Sequence, residues 1–154
     1  MSRPGTLWAV IAVLASGPAP DAVGQTVDAV YAKNCSVCHQ PEGRGVPGQF
    51  PRLAGRVGQM TGSAEGRAYV LAVLLNGMAG AVEVDGRRIF GVMPPFIRLA
   101  DGEIATVLSD LAALGDGGPA ITPDMVAAAR DQPRLPAAEV NRRRAALVAA
   151  GVVP

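Results

Sequence analysis

The sequence predicts a protein of short helices joined by long structured loops. Two observations carry that expectation. Apolar residues recur at helical spacing in residues 67–76 and 101–114, the pattern of helices packed along one side. Between such stretches the chain is punctuated by glycine and proline, 19 and 13 in all, which end helices and shape turns. At 154 residues the chain has the length of a single domain. Aromatic residues make up only 4% of it, so the chain is short of large side chains with which to fill a core. The net charge of +1 gives no sign of a nucleic-acid or other polyanionic partner.

The chain begins with Arg3 followed by an apolar run over residues 7–15, which has the form of a signal peptide. Ala22 and Gly24 are small residues suited to cleavage before Gln25, so residues 1–24 are expected to be removed on export to the periplasm. The run is too short to span a bilayer comfortably, and no transmembrane span is expected after cleavage; an uncleaved anchor is the alternative. Thr26 is the expected N-cap of a short helix carrying Val27, Val30 and Tyr31 on one face.

That helix runs into Cys35-Ser36-Val37-Cys38-His39, a Cys-x-x-Cys-His run, the attachment signal for haem c. On a helix, positions i, i+3 and i+4 share a face, so Cys35, Cys38 and His39 point the same way. Two thiols then face the haem vinyl groups and form thioethers, while the imidazole faces the iron as proximal ligand. These are the only cysteines and the only histidine in the chain. A thioredoxin-like redox pair wants a βαβ setting, which is missing here. A zinc site wants four ligands, usually from two pairs, and there is no second pair. A plain disulfide is the remaining competitor. One buried haem would also supply the apolar mass that the composition lacks.

Residues 40–66 are rich in glycine, contain Pro41, Pro47 and Pro51, and show neither helical nor strand periodicity. Long loops of this kind are usually functional, and wrapping a prosthetic group is such a function. Within it, Leu53 is expected against the ring. The carbonyl of Pro51 is the expected acceptor for the second ring nitrogen of His39. Arg52 and Arg56 are candidates to face the haem propionates, against the commoner alternative of solvated loop charges. The helix of residues 67–76, ended by Gly77, offers Tyr69, Val70, Val73 and Leu74 as a packing face. Residues 81–88 alternate and contain Asp85-Gly86, the sign of a small hairpin.

With no second histidine, the sixth iron ligand must come from methionine, Lys33, the N-terminus or water, or be missing. Met60 and Met78 sit beside or near glycines, and Met125 lies in the tail. Met93 alone precedes two prolines, Pro94 and Pro95, which stiffen the chain and push Met93 towards an extended conformation. A weak thioether–iron bond needs such a stiff segment, so Met93 is the expected ligand and Met78 the alternative; gap-filling in a core is what a lone methionine otherwise does. Residues 101–114 form the clearest helix, with Asp101 and Glu103 in its first turn, Ile104, Val107, Leu108 and Leu111 as its stripe, and Gly115 at its end. Residues 116–154 form a helical extension, one helix from Thr122-Pro123 to Arg130 and another from Pro136 to Ala150. Its run Arg142, Arg143, Arg144 is expected on a solvated face.

Over about residues 25–115 the sequence resembles a class I c-type cytochrome. The resemblance rests on the Cys35–His39 motif, the Pro51-Arg52-Leu53 element, Gly91-Val92-Met93-Pro94-Pro95-Phe96 and the closing Leu-Ala-Asp-Gly-Glu-Ile-Ala helix. It implies an all-α chain in the cytochrome c fold, short helices and long loops wrapped around one covalent haem, with terminal helices crossing. It implies His39/Met93 ligation, an exposed haem edge, and contacts from Pro51 and Leu53. The segment around Leu75-Asn76-Gly77-Met78 and the loop containing Phe50 look most like bacterial cytochromes that serve as subunits or partners of periplasmic dehydrogenases or reductases. The expected function is one-electron transfer with a periplasmic dehydrogenase or a terminal oxidase or reductase as redox partner, and no catalysis of its own. A haem-based small-ligand binder or sensor with a displaceable Met93 is the alternative. A peroxidase would need an open distal position with acid–base groups, for which the chain has no second histidine.

Overall fold

The computed structural model describes Met1, residues 29–115 and residues 117–154. The expected signal peptide and the Thr26 cap with Val27 lie outside the described residues. The described residues form seven α-helices and one two-stranded sheet: α1 (Ala29–Asn34), α2 (Ser36–His39), α3 (Val57–Thr61), α4 (Ala64–Asn76), β1 (Met78–Val84), β2 (Arg87–Met93), α5 (Asp101–Ala113), α6 (Pro123–Arg130) and α7 (Ala137–Ala149). The fold is mostly helical, as the sequence predicts, with the sheet as a small addition.

The clearest predicted helix is also the centre of the core. In α5, Ile104, Val107, Leu108 and Leu111 are all buried, and the Glu103 carboxylate accepts a hydrogen bond from the Ala100 N–H at 2.7 Å, which anchors the first turn. Helix α1 rests against it through the fully buried Tyr31. Helix α4 is apolar on more than one side. Tyr69, Val70, Val73 and Leu74 face one cavity, while Leu71 and Leu75 face a groove that α6 borders. The expected packing face is therefore only half of what this helix buries.

Two elements differ from the expectation for residues 40–66. The stretch contains α3, and α4 starts at Ala64, with Ser63 capping the Gly66 N–H at 2.9 Å. At Gly66, an added Cβ would lie 1.9 Å from the Met60 carbonyl oxygen, so this glycine is there to let α3 and α4 meet closely.

The hairpin is longer than residues 81–88. Its strands pair antiparallel from Met78↔Met93 to Val84↔Arg87, and Asp85-Gly86 makes the turn with φ of 52° and 70°, as a type I′ turn requires. An isolated hairpin is marginal in water. Here Val82, Val84 and Ile89 are buried beneath it, and α7 packs along β1, where Asn141 donates to the Ala81 carbonyl at 3.0 Å and Arg144 to that of Glu83 at 3.1 Å.

The C-terminal extension is integral to the core. Ile121, Val126, Val140 and Val153 are all buried in the same apolar cluster as α4 and α5. Polar ties reinforce it. Arg130 pairs with Asp101 at 2.5 Å and caps the Ile97 and Leu99 carbonyls, and Ser109 closes both backbone groups of Ile121.

Candidate haem-binding site

The attachment motif begins at Cys35, the junction of α1 and α2, and continues through α2. Cys35 N–H bonds the Tyr31 carbonyl at 2.9 Å and His39 N–H bonds that of Cys35 at 2.9 Å, so Cys35, Cys38 and His39 keep helical spacing along one face. The chain then turns away sharply. Gln40 has φ of 61° and Glu42 of 59°, conformations that non-glycine residues adopt only when the surroundings hold them. The hold is visible: the Tyr31 hydroxyl donates to the Gln40 carbonyl at 2.7 Å, and Gly45 N–H to the His39 carbonyl at 2.7 Å.

His39 forms one wall of an open-mouthed, mostly apolar cleft, the kind of lining that cofactor sites have. The imidazole is buried, and its Nδ1 lies 2.8 Å from the Pro51 carbonyl oxygen, which makes Nδ1 the protonated nitrogen and leaves Nε2 as a free donor of its lone pair. Burial pushes the imidazole below its ordinary pKa, with the Pro51 carbonyl working against it, so the ring is neutral as metal ligation requires. Pro51 is held in place by the glycine turn before it. At Gly45, with φ of 68°, an added Cβ would come 2.6 Å from the Arg52 nitrogen and the Phe50 oxygen. Gly45→Ala is therefore expected to cost about 1–3 kcal/mol of stability and to disturb the Pro51–His39 contact, measured by denaturant unfolding of the loaded protein.

The rest of the cleft is predominantly apolar: Leu53, Val57, Met60, Val70, Val73, Leu74, Val82, Val84, Leu108 and Leu111 are among its lining. Met93 lies on it, half-buried, at the last position of β2 rather than in a loop; the extended conformation demanded by Pro94 is met by strand geometry. Phe96 N–H, bonded to the Leu74 carbonyl at 2.7 Å, ties the segment after the prolines to α4. Met78, cross-strand partner of Met93, lines the same cleft, and its Sδ accepts from the Tyr69 hydroxyl at 3.4 Å. Met60 lines it too, and Met125 does not.

Arg52 and Arg56 both line the cleft. Arg52 pairs with Asp85 at 3.0 Å and Arg56 with the same carboxylate at 3.3 Å. The Arg52 hydrogen bonds hold the Asp85 carboxyl below its ordinary pKa. Arg144 lines it as well, 8% exposed, where a solvated position was expected; Arg142 and Arg143 do face solvent, paired with Glu139. The signal for Arg144 was in the sequence. Val140, Arg144 and Leu147 sit at i, i+4 and i+7, the apolar stripe of α7.

This set suits an iron porphyrin. It combines two thiols at attachment spacing, a free imidazole nitrogen, thioether sulfurs, an apolar slot and a cationic wall. The competing readings fare worse. Burial pushes the Cys35 thiol up to about 11, opposite to the depressed pKa of a redox-active pair. Among the described residues no group of three or more His, Cys, Asp or Glu gathers as a metal cluster.

Comparison with known proteins agrees. Residues 25–115 match the family model described as Cytochrome c. Two proteins named cytochrome c-552, both from Thermus thermophilus and the second from a designated strain of it, are each 48% identical to this chain over 88 residues, or 56% of its length. The matched segment spans 66% of the first and 59% of the second, less than two thirds of either.

Proposed function

The chain belongs to the cytochrome c family, as a class I, monohaem c-type member, and from that membership we propose that it is a one-electron carrier. Its cofactor is one haem c, covalently bound through Cys35 and Cys38. When bound, that haem supplies a ferric–ferrous couple. His39 and Met93 are the proposed axial ligands, and the observation that carries the reading is that both line one apolar cleft while His39 keeps Nε2 free. With His39 and Met93 both holding the iron, no position would be left for a substrate, and such a His/Met pair would raise the potential.

The chain's own part is to keep that geometry fixed. Pro51 sets the tautomer and orientation of His39. Pairing with β1, together with Pro94 and Pro95, keeps Met93 in place. Leu53, Leu74 and their apolar neighbours keep water away. Val37, inside the attachment motif, and Val92, beside Met93, are exposed apolar side chains suited to brief docking. Electron-transfer encounters are small and transient. The proposed partners are a periplasmic dehydrogenase or a terminal oxidase or reductase, with catalysis belonging to them and export to the periplasm preceding haem attachment. Among the described residues no helix is long and apolar enough to cross a membrane.

An equilibrium redox titration of the exported, haem-loaded protein tests this proposal. A reversible single wave with a one-electron Nernst slope is expected. A wave that is irreversible, or that shifts when small gases are added, points instead to a ligand binder.

A further inference from the structure

The family match ends at residue 115, yet α7, well beyond it, delivers Arg144 into the cleft wall. There Arg144 joins Arg52 and Arg56. The side chain of Arg56 is 11% exposed and Arg144 is 8% exposed as a residue, and the carboxylate paired with this group, Asp85, has its side chain 48% exposed. Tyr69 of α4 faces the cluster as a neutral hydroxyl, its pKa raised by burial. Three guanidiniums thus meet one carboxylate among the described residues. Pro154 offers one backbone oxygen, which accepts from Arg56 at 2.5 Å and from Arg144 at 2.8 Å. Even counted as a carboxylate, it leaves cations in excess.

Such crowding has a cost. Burial, and then the charge of Arg144, push the Arg56 guanidinium below its ordinary pKa, with Asp85 working against them. Buried cations side by side destabilise a protein unless anions balance them, and here, among the described residues, three guanidiniums share only Asp85 and the Pro154 oxygen. A haem held in this cleft would bring two carboxylates of its own towards these guanidiniums, and guanidinium is the side chain best suited to bind carboxylate bidentately.

We infer that Arg144, together with Arg56, binds the haem propionates, which makes the C-terminal extension a part of the cofactor site that holds the reduction potential up. The inference rests on the haem reading above. Ferric haem carries one more positive charge than ferrous, so a nearby buried cation disfavours the ferric state, and removing it lowers the potential.

The test uses the haem-loaded full chain. Arg144→Gln is expected to lower the midpoint potential by a three- to tenfold change in the reduction equilibrium, about 30–60 mV for one electron. Arg144→Lys should recover most of that shift, and Arg143→Gln, on the exposed face, should change nothing. Should Arg144→Gln fail to fold, NMR of the unmutated ferrous protein decides: contacts between the propionate methylene protons and the Arg144 and Arg56 side chains are expected. An unchanged potential in folded, haem-loaded Arg144→Gln overturns the inference, as do propionate contacts that leave out Arg144. If the unmutated chain carries no haem, it is the carrier reading that fails instead.

Discussion

Met93→Ala is expected to abolish the weak near-infrared sulfur-to-iron band of the ferric protein, to open the iron to carbon monoxide in the ferrous one, and to lower the potential by roughly 0.1–0.2 V. That fall is a modest part of the ~0.8 V range that axial ligation commands in haem proteins. The physical ground is the difference between two methionines on one cleft. Met78 and Met93 are direct cross-strand partners, so their side chains start within about 5 Å of one another. Met78, however, is engaged by the Tyr69 hydroxyl at 3.4 Å, and Tyr69 is a neutral donor because burial raises its pKa. Met93 is followed by two prolines and braced on α4 through Phe96. Met78→Ala is the control: it should keep the band and shift the potential less. The reverse pattern would assign the ligand to Met78.

Replacing both attachment cysteines, Cys35→Ser with Cys38→Ser, is expected to eliminate covalently held haem almost completely. Serine matches cysteine in shape, and both cysteines are only partly buried, so packing changes little and the effect isolates the thioethers. His39 would still offer Nε2 to iron, so any haem that remained should be freed by acid–acetone extraction, whereas the unmutated protein should release none. Stability should fall with it. A group bound only by the native state stabilises that state, and the cleft without its ring exposes apolar walls to water. Haem that stayed with the protein through extraction would place its attachment elsewhere.

What the sequence made legible was local. The attachment motif, the stripe of α5 and the caps of α6 all depend on residues within a few positions of one another, and they stand where their spacing puts them. The pairing of His39 with Pro51 spans twelve residues, but a loop between two fixed points is a short enough link to anticipate. What the sequence hid depends on long-range packing. The helical parts of residues 40–66 stayed hidden because the close approach of α3 to α4, which requires glycine at 66, joins separate helices. The hairpin extends to Met78 and Met93 because α7 covers β1, and nothing in the alternation of residues 78–81 announces that partner. Arg144 was hidden by its company. Arg142 and Arg143 do face solvent, and only the helical phase of Val140 and Leu147 separates the third arginine from them.

On the proposed ligation, both faces of the iron are occupied by this chain's own side chains, and carbon monoxide added to the reduced, haem-loaded protein at neutral pH reads that out. With His39 and Met93 in place, the Soret band should stay unchanged on mixing and shift, if at all, only slowly. An immediate and complete shift would mean an open sixth position, and would turn the protein from an electron carrier into a binder of small ligands.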